Sequence, residues 1–120
     1  MKYLSLPILV LFFLAASGIS FSQVTVESGK FYAGEGTPGY SLDKGSGDRI
    51  VTIEVKFTKA FKVKPDIHLN ITMVEGDKSG DLKYDVTTSF ASSEGFIIKI
   101  KCWGEGKLRS IGGTWFALAE

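Results

Sequence analysis

The side chains that most often carry out chemistry are few and scattered in this sequence. His68 is the only histidine and Cys102 the only cysteine among the 120 residues, so no histidine cluster is present to ligate a metal ion. Cys102 alternates with Ile98 and Ile100, which predicts a buried, unreactive thiol. The carboxylates occur singly in turns, away from the apolar surroundings that a general acid requires. We therefore predict a protein that is not an enzyme, with no metal site and no cofactor.

Trp103 is the residue whose type departs from the pattern around it. It alternates with Ile97, Lys99 and Lys101, so it lies on the strand face opposite the predicted core, directly before a Gly-Glu-Gly turn. An exposed indole ring can stack on the C–H face of a sugar ring, and it can also anchor a protein interface. Two interpretations stay open at Trp103: a carbohydrate site, or a ring packed beneath a loop or against another protomer.

The first 22 residues have the composition of a secretory signal peptide. A short basic start precedes the apolar stretch 4–16, and small residues then lead to Ser20 and Ser22, which fit the −3 and −1 positions of a cleavage site. The stretch is shorter than the roughly 20 apolar residues of a membrane span. We predict cleavage after Ser22, with sites after Ala16 or Gly18 as alternatives, and a secreted, extracellular protein that is not inserted into the membrane.

The charges and the cysteine count limit the possible partners of residues 23–120. This part contains as many Lys and Arg as Asp and Glu residues, since Lys2 accounts for the net charge of +1 in the whole sequence. An even distribution of charge gives no electrostatic basis for binding nucleic acid or an anionic membrane. With Cys102 alone, the domain forms no internal disulfide, so its stability depends on its core or on oligomerisation.

Apolar and polar residues alternate over much of the sequence, which is typical of half-buried β-strands. The alternating segments are 24–26, 51–58, 67–73, 82–90, 96–103 and 114–118. Short turns rich in Gly, Ser and charged residues separate several of them, and the longest irregular segment is a Gly-rich loop at 33–48. Six short strands with polar turns predict an all-β sandwich or small barrel in a single domain, residues 23–120.

The order of motifs over residues 51–118 resembles the H-type lectin domain, found in invertebrate agglutinins and in the C-terminal part of discoidins. The matching motifs are Val55-Lys56-Phe57, Phe61 with Pro65, Ile67-His68-Leu69-Asn70-Ile71-Thr72, Gly95-Phe96, Cys102-Trp103 and Thr114-Trp115-Phe116-Ala117, with Ser28-Gly29-Lys30 like the opening strand. The resemblance implies a six-stranded antiparallel β-sandwich that forms a homotrimer or a multiple of one. It also implies shallow sites between protomers for terminal galactose or N-acetylgalactosamine, without a metal ion.

The resemblance further implies which residues contact the sugar. The family's sugar-binding Arg corresponds to Lys83, and its Trp, which a neighbouring protomer contributes, corresponds to Trp103. A Gly and an Asp before the first core strand correspond to Gly47 and Asp48, with Asp43 as an alternative.

Three residues depart from the family pattern and change one wall of the predicted site. Lys83 has a single ammonium where the family's Arg has a planar fork, so bidentate hydrogen bonding is lost. Gly104 stands where the agglutinins often have His, and Arg109 stands where they have Tyr. An acidic sugar that pairs with Lys83 and Arg109 is therefore an alternative to galactose or N-acetylgalactosamine.

Together these observations predict a secreted, oligomeric, carbohydrate-binding lectin with a role in cell adhesion. The alternative is an adhesion or assembly module with the same sandwich, in which Trp103 is buried against a partner protein and no sugar is bound. Asn70-Ile71-Thr72 matches an N-glycosylation sequon, a pattern short enough to arise by chance.

Overall fold

Six β-strands are formed in the part of the chain that the computed structural model describes, residues 23–78 and 80–120. They are β1 (Thr25–Gly34), β2 (Arg49–Lys56), β3 (Asp66–Gly76), β4 (Lys83–Ser89), β5 (Gly95–Trp103) and β6 (Leu108–Ala119). The predicted signal peptide, residues 1–22, lies outside the described residues. The described part contains no helix that is long and apolar enough to cross a membrane.

The strands pair in two antiparallel sheets of three strands each. The back sheet has the strand order β1-β6-β3, and the front sheet has the order β2-β5-β4. Two separate sheets confirm the predicted six-stranded antiparallel sandwich and exclude the small barrel. Among the described strands, only β4 and β5 are neighbours both in the sequence and in a sheet, so most of the pairing joins distant parts of the chain.

Strands β1, β3 and β6 are longer by several residues, and β4 is shorter, than the alternation of residues predicts. β1 extends to Gly34 and β6 begins at Leu108. In β6 the alternation is hidden by Gly112 and Gly113, which have no side chain to indicate a face. β4 ends at Ser89, because Phe90 has a positive φ of 51° that turns the chain away from the sheet. Phe90 is 84% exposed, although the alternation predicts an inward position.

The core lies between the inner faces of the two sheets, and it includes the predicted inward side of β5. The buried residues of this strand are Phe96, Ile98, Ile100 and Cys102. Their burial confirms the predicted strand phase, and it places the Cys102 thiol inside the sandwich with 0% exposure. The same phase puts the alternate residues of β5, ending with Trp103, on the outer face.

Aromatic rings fill the end of the core where β2 ends and β5 begins. The rings of Phe57 and Phe61 pack edge to face, with centroids 4.9 Å apart. Phe57 and Phe96 contact the ring of Trp115 at centroid distances of 5.9 and 5.3 Å. Gly29 of β1 lies over this indole, and a Cβ at Gly29 would come within 2.7 Å of it. The glycine of the opening motif therefore makes room for Trp115.

Candidate functional site

The register of the front sheet places Lys83 directly opposite Trp103. Opposed residues on one face of an antiparallel pair have Cβ atoms about 4.5–5.5 Å apart. Lys83 is exposed and Trp103 half-buried, and both lie on the outer face of the sheet. The two residues that the resemblance assigned to the sugar are thus neighbours within one chain.

Asp48 and Lys101 extend this surface along the outer face. Asp48 Oδ2 lies 3.4 Å from Lys101 Nζ, in an ion pair whose side chains are 71% and 39% exposed. The same Nζ lies 5.8 Å from the centroid of the Trp103 ring. Exposed ion pairs and cation–π contacts each contribute about 1 kcal/mol or less. They orient these side chains without removing them from solvent, so the Asp48 carboxylate remains free to accept hydrogen bonds from a ligand.

Gly47 and Gly104 join the loop before β2 to the turn after β5. The Gly47 N–H donates to the Gly104 carbonyl oxygen at 3.1 Å. Their φ angles of 77° and 78° lie in the left-handed region, which side chains disfavour. A Cβ on Gly104 would lie 3.7 Å from Lys83 Cδ, so the missing side chain leaves open space beside the lysine. The structure therefore brings together Gly47, Asp48, Lys83 and Trp103, which we call the outer cluster.

Arg109 lies on the back sheet, away from the strands that carry the outer cluster. Its Nη1 is 3.8 Å from Glu75 Oε1 of β3, and both side chains are more than half exposed. Within a single chain, therefore, Arg109 has an acidic partner of its own. Arg109 lies at the start of β6, on the surface of the back sheet.

Asp43, the alternative to Asp48, lies in the loop 35–48. Its Oδ1 atom is buried and makes no hydrogen bond within the described residues. Nearby, the Tyr40 hydroxyl donates a hydrogen bond to the Leu108 carbonyl oxygen. Burial, and secondarily the charge of Asp43, raises the pKa of Tyr40 well above its ordinary value. Tyr40 therefore stays protonated and holds this loop to the start of β6.

Arg49 is a buried residue of this region that the sequence analysis did not identify. The residue is 9% exposed, and its guanidinium donates to backbone carbonyl oxygens on both sides of the Gly47–Gly104 junction. The acceptors are Gly47 at 2.9 Å, Leu42 and Lys44 at 3.2 Å, Gly45 at 3.4 Å, Gly104 at 2.9 Å and Gly106 at 3.0 Å. The sequence contains one indication of this role. Arg49 is in phase with Val51 and Ile53, and a charged residue at a core-facing position is unusual.

The outer cluster has the chemical features of a recognition surface. It offers an indole face, an ammonium donor, a carboxylate acceptor and backbone groups, all on a shallow, solvent-accessible edge. Among the described residues, no group of three or more His, Cys, Asp or Glu side chains is placed to hold a metal ion. A cleft of about 470 Å³ lies at the opposite end of the front sheet, beside Phe90 and Glu94. The outer cluster lies apart from this cleft.

Comparison with known proteins places this architecture among lectins. The family profile of the H-type lectin domain matches residues 52–118. A chain of discoidin-1 from Dictyostelium discoideum is 28% identical over 99 residues, which cover 82% of this chain and 38% of the discoidin. A Fuscovulum blasticum protein, described as ATP synthase subunits region ORF 7, is 24% identical over 82 residues, which cover 68% of this chain and 71% of that protein.

Solved structures have the same fold. Two structures of discoidin II from Dictyostelium discoideum superpose with TM-scores of 0.70 and 0.72 at 21% sequence identity. The superposed parts cover 82% and 83% of this chain and 38% of each discoidin II chain. The chain thus spans well under half the length of the discoidins that it matches.

Proposed function

Since this chain belongs to the H-type lectin family, we propose that it is a secreted lectin that binds terminal galactose or N-acetylgalactosamine. The outer cluster is the proposed site. The observation that carries the proposal is the register of β4 and β5, which sets Lys83 opposite Trp103 on one exposed face. An indole ring packs against the apolar face of a pyranose, while Lys83 donates to its hydroxyl groups and Asp48 accepts from them.

An open site of this kind binds a single sugar weakly. Its polar groups are hydrated before the sugar arrives, so each new hydrogen bond replaces one to water. The outer cluster is also shallow and buries little of the ligand, which limits the binding free energy gained from apolar contact. Useful avidity then requires several sites in one assembly that engage one glycan-bearing surface together.

The outer face of the back sheet supports assembly into a homotrimer. It carries exposed apolar side chains at Val26, Tyr32, Met73 and Phe116. The register aligns Tyr32 and Met73 on either side of Gly112, so the two side chains flank a residue that has none. The row Lys30-Thr114-Asn70 separates these side chains into two apolar patches. Exposed apolar patches on a small domain without a disulfide are best covered by another copy. The family's inter-protomer sites are the basis for placing Arg109 at the outer cluster of a neighbour in such a trimer.

Binding is tested with purified protein on a glycan array, followed by titration with N-acetylgalactosamine and galactose. Trp103→Ala and Lys83→Ala should each lose detectable binding, because each removes one side of the proposed site. Lys99→Ala is the matched control, since Lys99 lies on the outer face of the same strand, away from the cluster. Retained binding by Trp103→Ala would contradict the proposed site.

Assembly is tested by analytical ultracentrifugation at micromolar concentration, where a trimer or a multiple of it is expected. Met73→Glu places a charge on the proposed interface and should give folded monomers. A monomeric unmutated protein would contradict the trimer and the inter-protomer role of Arg109.

The half-buried position of Trp103 also favours a second candidate function, an adhesion or assembly module. In that case Trp103→Ala dissociates the assembly, and the unmutated protein binds none of the glycans on the array.

A further inference from the structure

The loop 35–48 supplies part of the proposed sugar site, yet it contains no helix or strand. It brings Gly47 and Asp48 to the outer cluster from the far end of β1. Two backbone hydrogen bonds connect it to the β5–β6 region: Leu108 N–H donates to the Leu42 oxygen at 3.0 Å, and Gly47 N–H donates to the Gly104 oxygen at 3.1 Å. A segment of this length with so few backbone connections requires another element to hold its shape.

The guanidinium of Arg49 occupies the space between the loop and the turn after β5. Nε bonds the Gly47 oxygen, and Nη2 bonds the Gly104 oxygen, both at 2.9 Å. Within the described residues, no carboxylate pairs with Arg49. Its buried charge is therefore balanced by carbonyl dipoles, and every one of those carbonyls belongs to the loop or the turn. A planar fork can bond two segments at once, which a single ammonium group cannot do.

The bonded carbonyls are adjacent to the residues that would contact a sugar. Gly47 directly precedes Asp48, and Gly104 directly follows Trp103. The Arg49 side chain and the Gly47–Gly104 backbone hydrogen bond therefore together set the separation between the carboxylate-bearing segment and the indole-bearing segment. Arg49 itself is buried and lies on the inner side of β2, so it makes no contact with a ligand on the outer face.

We propose that Arg49 is the positioning residue of the carbohydrate site. It ties the loop 42–47 to the turn 104–106 and so presets the geometry of the outer cluster before any sugar binds. Preset geometry raises affinity, because the loop does not have to be ordered when the ligand arrives. The ligand part of this proposal rests on the proposed lectin function. The connection that Arg49 makes between the loop 42–47 and the turn 104–106, which we call the clamp, does not depend on that function. It can be measured without a sugar.

The chain provides two local reporters for the clamp. Cys102 is the only cysteine, and its Sγ lies 3.5 Å from Arg49 Nη2, beneath the junction. Opening of the loop should therefore expose the thiol without global unfolding. Trp103 is one of two tryptophans, so a Trp115→Phe background makes its fluorescence a specific probe of the outer cluster.

The experiment compares Arg49→Lys and Arg49→Met with Phe61→Leu, a control in the aromatic cluster at the other end of the core. Three quantities are measured alongside Trp103 emission: the free energy of unfolding in urea, the rate of Cys102 labelling by a thiol reagent in native buffer, and affinity for N-acetylgalactosamine. Comparisons are made at a temperature where all variants are folded. Both Arg49 variants should label about tenfold faster or more, shift the Trp103 emission, and bind the sugar about tenfold more weakly. Phe61→Leu should leave labelling and affinity within about twofold and the emission unshifted.

Two results would overturn the proposal. One is labelling and Trp103 emission in Arg49→Lys that match those of the unmutated protein. The other is a loss of affinity and of thiol protection that follows global stability equally in Phe61→Leu and the Arg49 variants. If the unmutated protein binds no sugar, the proposed lectin function is wrong. The rate of Cys102 labelling and the Trp103 emission still test whether Arg49 holds the loop. If neither Arg49 variant folds, hydrogen exchange of the unmutated protein decides: the Gly47 and Leu108 amides should exchange as slowly as strand amides, and fast exchange would refute the clamp.

Discussion

Lys83→Arg is the substitution that tests the proposed chemistry of the site most directly. Lys83 is exposed at the start of the edge strand β4, so the change should alter the free energy of unfolding by about 0.5 kcal/mol or less. The open space beside Gly104, where a Cβ would still be 3.7 Å from Lys83 Cδ, accommodates the larger guanidinium. The planar group can also lie along the Trp103 ring opposite it.

The expected gain follows from one added hydrogen bond to the sugar. A hydrogen bond that involves a charged group contributes about 1.5–3 kcal/mol when its partners are removed from water. Because the site is open, water competes and we expect about half of that value, or about 0.7–1.4 kcal/mol. This corresponds to an affinity about three- to tenfold higher. Isothermal titration with N-acetylgalactosamine measures it, and Lys83→Ala serves as the reference without donors.

Unchanged binding by both Lys83→Arg and Lys83→Ala would refute the reasoning, since the side chain would then lie away from the sugar. A gain confined to acidic sugars would favour the alternative ligand class, in which the positive charge pairs with a carboxylate. The array therefore includes sialylated glycans beside neutral ones.

Three further predictions concern stability. Cys102→Ser should lower the free energy of unfolding by only about 1 kcal/mol, because the buried hydroxyl keeps Arg49 and the Gly106 oxygen as polar partners; rapid labelling of the native thiol would contradict this burial. Gly29→Ala should cost about 1–3 kcal/mol in urea unfolding, since its methyl group would overlap the Trp115 ring. Tyr40→Phe should cost about 1–2 kcal/mol, because the Leu108 carbonyl loses its donor. The raised pKa of Tyr40 stabilises the fold below the ordinary tyrosine pKa, near 10, and this contribution is lost progressively above it. Unfolding at pH 9 and 11 should therefore show a smaller decrease for Tyr40→Phe than for the unmutated protein.

The position of Trp103 decides between the two candidate functions more clearly than any other residue. A lectin requires its ring to remain reachable in the assembled protein, whereas an assembly module requires the ring to be covered. Iodide quenching of Trp103 fluorescence in the Trp115→Phe background measures this accessibility. An accessible ring in a trimer favours the lectin, and a ring protected only in the trimer favours the module.

The sequence alone determined the features that depend on neighbouring residues along one strand. The alternation in β5 predicted both the buried Cys102 and the outward Trp103, because successive side chains of a strand point to opposite faces. The order of motifs was sufficient to identify the family, and with it the number of strands. Where alternation was interrupted, at Gly112 and Gly113 in β6 and at Phe90 after β4, the strand ends were predicted incorrectly.

Tertiary structure decided everything that depends on which strands pair and in what register. The register of β4 and β5 placed Lys83 opposite Trp103 in the same chain, and the strand order placed Arg109 on the other sheet beside Glu75. The role of Arg49 was hidden for the same reason. Its acceptors are backbone carbonyls on two segments far apart in the sequence, and carbonyls are present in every residue, so only their arrangement in space distinguishes them.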